Sequence, residues 1–145
     1  MSSVRSFPRV YVTRSRVTQV TTPVPARTVL RRAALAAGGG VIGTAARLAI
    51  GMLVPDATGG VLIANITGAL LLGVLTARLT ASDLRIFLGT GVLGGFTTYS
   101  AFTVGAVGLW VTAPFLAVGY AVVSVVLGLA AAAIGLRLGA RRRQA

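Results

Sequence analysis

Residues 91–103 read GVLGGFTTYSAFT. Two adjacent glycines, two threonines, a tyrosine and a serine interrupt a long apolar run, and of all residues in the chain these are the best placed to do chemistry. Gly94-Gly95 lowers helix propensity, and the hydroxyls of Thr97, Thr98 and Ser100 compete for backbone hydrogen bonds. A helix interrupted here would release carbonyl oxygens, which are good ligands for a hard cation such as Na+. The competing arrangement is a continuous helix whose hydroxyls bond back to preceding carbonyls. Tyr99 and Phe102, at i and i+3, put two rings on one face, a spacing that ordinarily serves packing.

Three other positions stand out. Gly39, Gly43 and Arg47 fall at i, i+4 and i+8 and share one helix face. Such a glycine pair lets another helix approach closely. A guanidinium within an apolar run must find partners or snorkel to water, and both readings of Arg47 stay open. Asn65 is the most polar group of the run 58–80 and serves either as interhelical glue or as the lining of a pathway. Tyr120, Ser124 and Gly128 form a thin polar and small stripe on a Val/Ala/Leu background.

The elements that must carry these residues follow from composition. The chain has 145 residues, 55% hydrophobic and only 11% charged, with a mean hydropathy of +0.88. Soluble domains carry about 25% charged residues. Four apolar runs, approximately 33–54, 58–80, 84–111 and 114–136, each meet the roughly 20 residues a bilayer requires of a helix. They are continuous rather than alternating, which excludes barrel strands. The expected fold is therefore an all-α membrane protein of four transmembrane helices, the third broken at mid-membrane. Residues 1–30 read as a basic, disordered tail, 31–138 as the membrane domain and 139–145 as a second basic tail. With neither cysteine nor histidine, disulfides, thiolate chemistry and histidine-bound metals are excluded.

All fourteen basic residues are arginine. Seven precede the first run, Arg78 and Arg85 bracket the second connection, and four follow the last run. In a four-span chain these thirteen lie on one side, and the first and third connections carry none. By the positive-inside rule both termini are cytoplasmic, in a bacterial inner or plasma membrane. Arginines placed as membrane flanks do not make a nucleic-acid surface, despite the net charge of +12.

Taken together, these residues resemble the small four-helix fluoride-channel family, Fluc, also called CrcB. GG-x-x-G followed by arginine stands at Gly39-Gly40, Gly43 and Arg47. Asn65 and Gly68 form N-x-x-G, with a further Gly73. The most specific element, G-x-x-G-G-x-T-T-[FY]-S-x-F, runs from Gly91 to Phe102, and Tyr120 and Ser124 match the last helix. The resemblance implies an antiparallel dimer whose broken third helices cross at the centre. It implies a structural Na+ held there by the backbone carbonyls of Gly94 and Thr97. Two narrow fluoride pores would flank that ion, lined by Asn65 and the ring edges of Tyr99 and Phe102, with the hydroxyls of Thr98, Ser100, Tyr120 and Ser124. Arg47 would lend positive potential near a vestibule.

The chain departs from the family pattern at Tyr99, where phenylalanine is usual, at Val61, where threonine is common, and at Leu48, where an aromatic is common. The one-sided arginines imply a single insertion orientation. An antiparallel dimer then needs a second, oppositely oriented paralogous subunit, so a heterodimer is expected. The implied function is passive fluoride export that lowers cytoplasmic fluoride. The alternative is a non-conducting or partly conducting structural subunit of such a heterodimer. A proton-coupled multidrug transporter needs a membrane-embedded carboxylate. The only acids here, Asp56 and Asp83, lie in or near connections. No nucleophile–base pair points to an enzyme.

Overall fold

The computed structural model describes residues 25–141. Helix α1 (Ala26–Leu53) is followed by α2 (Ala57–Arg78). The third span, Asp83–Thr112, is composite. It opens with the short α3 (Asp83–Arg85), widens into a π-helical segment Ile86–Leu93, and returns to one turn of α-helix, α4 (Gly94–Phe96). After a break at Thr97 and Thr98 it resumes as α5 (Tyr99–Thr112), and α6 (Pro114–Arg141) completes the chain. All four spans are long and apolar enough to cross a bilayer.

The helix boundaries have local causes. Pro25 precedes the first helical residue, and the ARTVLRR stretch behind it has no breaker, so α1 begins at Ala26. The tail expected over 1–30 is corrected to that extent: residues 26–30 are helical, while 1–24 lie outside the described residues. At 28 residues α1 extends roughly 42 Å, more than the ~30 Å hydrocarbon core. Its first turns, with Arg27, Arg31 and Arg32, therefore reach the headgroup zone. Asp56 caps α2, its Oδ2 accepting from the Gly59 N–H at 2.6 Å. Asp56→Ala is expected to cost about 1 kcal/mol, read as a drop of a few degrees in Tm in detergent. Pro114 opens α6 at the first helical position, where its missing N–H costs nothing. At the other end α6 continues through residues 139–141, so only 142–145 of the expected second tail fall outside the described residues.

The spans do not pack as four equal neighbours. α1 lies along the π-helical segment and α4, α2 lies along α6, α5 also packs on α6, and α1 and α2 meet sparingly. Glycine decides how close these pairs come. A Cβ on Gly43 would sit 2.8 Å from the Phe96 amide nitrogen, and one on Gly91 would sit 2.8 Å from the Gly39 Cα. Between α2 and α6, a Cβ on Gly135 would stand 3.0 Å from both the Leu70 carbonyl carbon and the Val74 nitrogen. Because lipid is as apolar as leucine, this close backbone contact, rather than burial of large side chains, holds membrane helices together. The described core accordingly consists mostly of alanine and glycine, with Leu93, Phe96 and Tyr120.

Candidate functional site

The third span breaks two residues later than the glycines suggest. Gly94 and Gly95 are helical, and none of the described glycines has a positive φ. The departure falls on Thr97 (φ −80°, ψ 151°) and Thr98 (φ −147°, ψ 120°), both extended. Gly95 is needed for closeness instead. A Cβ on Gly95 would lie 3.0 Å from the Gly40 Cα of α1.

Peptide groups freed at membrane depth need partners, and here some come from neighbouring spans and one from the third span itself. The Asn65 amide spans the break: its Oδ1 accepts from the Thr98 N–H at 2.8 Å, and its Nδ2 donates to the Thr98 carbonyl at 3.0 Å. This pair of hydrogen bonds, to the two peptide groups that flank the Thr98 Cα, fixes which way the amide faces and leaves one Nδ2 proton uncommitted. In an unbroken helix the Thr98 N–H would have met the Gly94 carbonyl, so capture by Asn65 releases that carbonyl. The Ala101 N–H, helical partner of the Thr97 carbonyl, donates instead to Thr98 Oγ1 at 3.3 Å, which caps α5 and releases Thr97 in turn. The expected back-bonding also occurs, but locally. Thr97 Oγ1 donates to the Leu93 carbonyl at 2.9 Å, and Thr103 Oγ1 donates to the Tyr99 carbonyl at 2.9 Å.

Beside the break lies a groove of about 330 Å³. Asn65, Thr97, Thr98, Tyr99, Phe102, Ser124 and Val125 line it. Ser100 Oγ stands 3.2 Å from Thr98 Oγ1 beside it. The rings form a short stack: Tyr99 to Phe102 at 5.9 Å between centroids, Phe102 to Tyr120 at 5.3 Å, both tilted. Tyr120 lies behind Phe102 rather than in the groove, and lines a second cavity of about 630 Å³ that reaches Asp56 and Thr58. The Tyr120 Oη and Ser124 Oγ are buried without a hydrogen-bond partner. Buried hydroxyls of this kind are rare unless something polar visits them. Tyr99 projects from the protomer, 80% exposed.

The groove thus gathers Asn65, Thr98, Tyr99, Phe102 and Ser124, with Ser100 adjacent and Tyr120 one ring behind. Arg47 is not in it. Its Nε donates to the Gly95 carbonyl at 3.3 Å, from α1. Thr44, which donates to the same carbonyl at 3.5 Å, was not singled out from sequence, although its i, i+3 relation to Arg47 places it on that face. The break and the groove thus bring together two released carbonyls, two hydroxyls without partners, one uncommitted amide proton and a set of ring edges.

Residues 34–136 match the family described as CrcB-like protein, Camphor Resistance (CrcB). A relative from Paracoccus denitrificans, named fluoride-specific ion channel FluC, is 44% identical over 109 residues, covering 70% of this chain and 88% of the relative. One of the same name from Agrobacterium fabrum is 42% identical over 117 residues, covering 73% and 94%. A fluoride-specific ion channel FluC 2 from Leifsonia xyli is 52% identical over 62 residues, or 40% of this chain and 41% of the relative. With a family match across most of its length, on a four-span helical fold whose third helix is bent, the chain belongs to the CrcB family.

Proposed function

We propose that the chain is a subunit of a fluoride channel that lets fluoride leave the cytoplasm passively. The observation that carries this reading is the Asn65 amide. Two of its hydrogen-bonding sites are committed to Thr98, so its remaining N–H is held at the groove where Phe102 and Ser124 converge. Fluoride entering such a groove exchanges water for an N–H, a hydroxyl and the positive edges of aromatic rings. None of these binds it as a full charge would, and weak, successive sites allow an ion to leave as readily as it enters. The orphaned hydroxyls of Ser124 and Tyr120 extend the same kind of donor along α6 toward the cavity at Asp56. Relatives named for fluoride support the choice of anion.

The break also suits the Na+ that the family resemblance implies. Among the described residues no cluster of acids could hold a metal, whereas the Gly94 and Thr97 carbonyls have lost their helical donors. Those two carbonyls would be this chain's ligands, and a bound Na+ would supply a fixed positive charge tying two copies of the break together. What the chain itself contributes is the opening of the helix, through Asn65 and the Thr98 cap.

The arrangement proposed is an antiparallel heterodimer with both termini of this chain cytoplasmic. Thirteen arginines on one side support the single orientation. Tyr99, projecting 80% exposed beside the break, supports a partner there. Tyr99 and Val61 favour one further reading, in which this subunit assembles the channel but does not complete both pores.

Fluoride efflux from liposomes in Na+ buffer, with chloride as control, tests these statements. Efflux is expected only when the chain is reconstituted with a paralogue from the same genome. Efflux from the chain alone would remove the obligate partner. Silence from folded, assembled pairs would leave the structural-subunit reading.

A further inference from the structure

The Gly95 carbonyl is a third acceptor stranded by the break. In an unbroken helix the Tyr99 N–H would reach it, but the extended Thr97 and Thr98 carry Tyr99 away. Unlike the Gly94 and Thr97 carbonyls, it is taken up by α1: Arg47 Nε donates at 3.3 Å, and Thr44 Oγ1 adds a longer contact at 3.5 Å. The reach depends on Gly43, one turn before Arg47 on the same face, which brings the α1 backbone against Val92 and Phe96. The expected Gly39–Gly43–Arg47 stripe is thus one device, with the glycines setting the distance and the arginine using it.

We propose that Arg47 is a positioning residue for the break. Its Nε holds the Gly95 carbonyl toward α1, which fixes the Gly95–Phe96 peptide plane and keeps this oxygen away from the cation side where Gly94 and Thr97 open. Asn65 fixes the two peptide groups that flank the Thr98 Cα from α2 in the same way. Two different spans therefore hold the break open, before any ion or partner arrives. What matters at position 47 is then a donor on Cδ, not a charge. The shape of the break is argued from the geometry alone, and only its effect on flux rests on the fluoride-channel reading.

Side-chain chemistry separates donor from charge. Glutamine carries its amide nitrogen on Cδ, where arginine carries Nε, so Arg47→Gln keeps a donor in place and removes the charge. Arg47→Lys puts a methylene at that position and keeps the charge one atom further out. Hydrogen–deuterium exchange of segment 94–103 is read on the chain as it assembles in lipid, in parallel with fluoride efflux. Arg47→Gln is expected to exchange within about twofold of the parent, and Arg47→Lys about tenfold faster, as for loss of a charge-assisted hydrogen bond. Efflux should fall in the same order. Parent-like exchange in Arg47→Lys with fast exchange in Arg47→Gln would overturn the proposal in favour of a bare charge. So would an Arg47→Gln that fails to assemble, because its donor is present. Unchanged exchange in both variants would show that the bond is idle. The expected exchange pattern without fluoride efflux in the parent would leave the positioning role standing and remove the channel reading.

Discussion

Replacing Asn65 by alanine is expected to lower fluoride efflux by at least about a hundredfold and to speed amide exchange around Thr98. The side chain makes hydrogen bonds to both the N–H and the carbonyl of Thr98, at 2.8 and 3.0 Å. Alanine leaves an N–H and a carbonyl unmet at membrane depth, and each unsatisfied group costs ~1–3 kcal/mol. At ~1.4 kcal/mol per tenfold, two such groups suffice for the loss, before the missing donor to fluoride is considered. The chain has an alternative: the Thr98 N–H can return to the Gly94 carbonyl, closing the helix and withdrawing that oxygen from any cation. Asn65→Asp separates the contributions. Its carboxylate still accepts from the Thr98 N–H but faces the Thr98 carbonyl with no donor, and it repels an anion. Efflux should vanish in both variants. Conduction in Asn65→Ala close to the parent's would mean that the amide neither supports the break nor meets the ion.

The second large effect lies away from the groove. Gly135→Val is expected to destabilise the fold by about 3 kcal/mol or more, read as a lower Tm in detergent and loss of assembled protein from the membrane. Its Cβ would stand 3.0 Å from backbone atoms of Leu70 and Val74, and a Cβ on Gly73 across the seam would stand 3.1 Å from the Gly135 Cα. Backbone cannot swing aside as a side chain can, so α2 and α6 must separate, and with them Asn65 and Ser124, which share the groove. Gly38→Ala is the control. No atom lies within 4 Å of a Cβ there, and alanine in an open helical position should gain up to ~1 kcal/mol of helix propensity. Equal effects at the two positions would contradict a close-packed α2–α6 seam.

Much of this was legible in the sequence because membrane folding leaves plain marks. Four apolar runs and the arginines flanking them define the spans, and a run as polar as FTTYS at membrane depth demands a special backbone. What was not legible was which residue of GGFTT would yield. Of these five residues glycine has the weakest helix propensity, yet Gly94 and Gly95 stay helical, Gly95 packed backbone to backbone against Gly40 of α1. The threonines yield instead, because Asn65 takes the Thr98 N–H and the Thr98 hydroxyl takes the Ala101 N–H. Those partners lie 33 residues away in one case, and no local propensity encodes them. Arg47 shows the same limit. Its spacing announced a shared face with Gly39 and Gly43, but its acceptor, the Gly95 carbonyl, exists only once the distant helix has opened. The π-helical segment Ile86–Leu93 left no mark that periodicity could detect.

The two parts of the third span answer to different neighbours, α1 for the first and α6 for the second. The two extended residues between them therefore act as an indexing joint. Successive side chains of extended backbone point to opposite faces. Deleting one threonine would therefore change the register of α5 against everything before it, turning Tyr99 and Phe102 away from the side of the protomer they now face while all four apolar spans remained. Chain length at this joint is thus constrained more tightly than residue identity. A substitution there weakens one contact, whereas a gain or loss of a single residue changes what the whole second half faces.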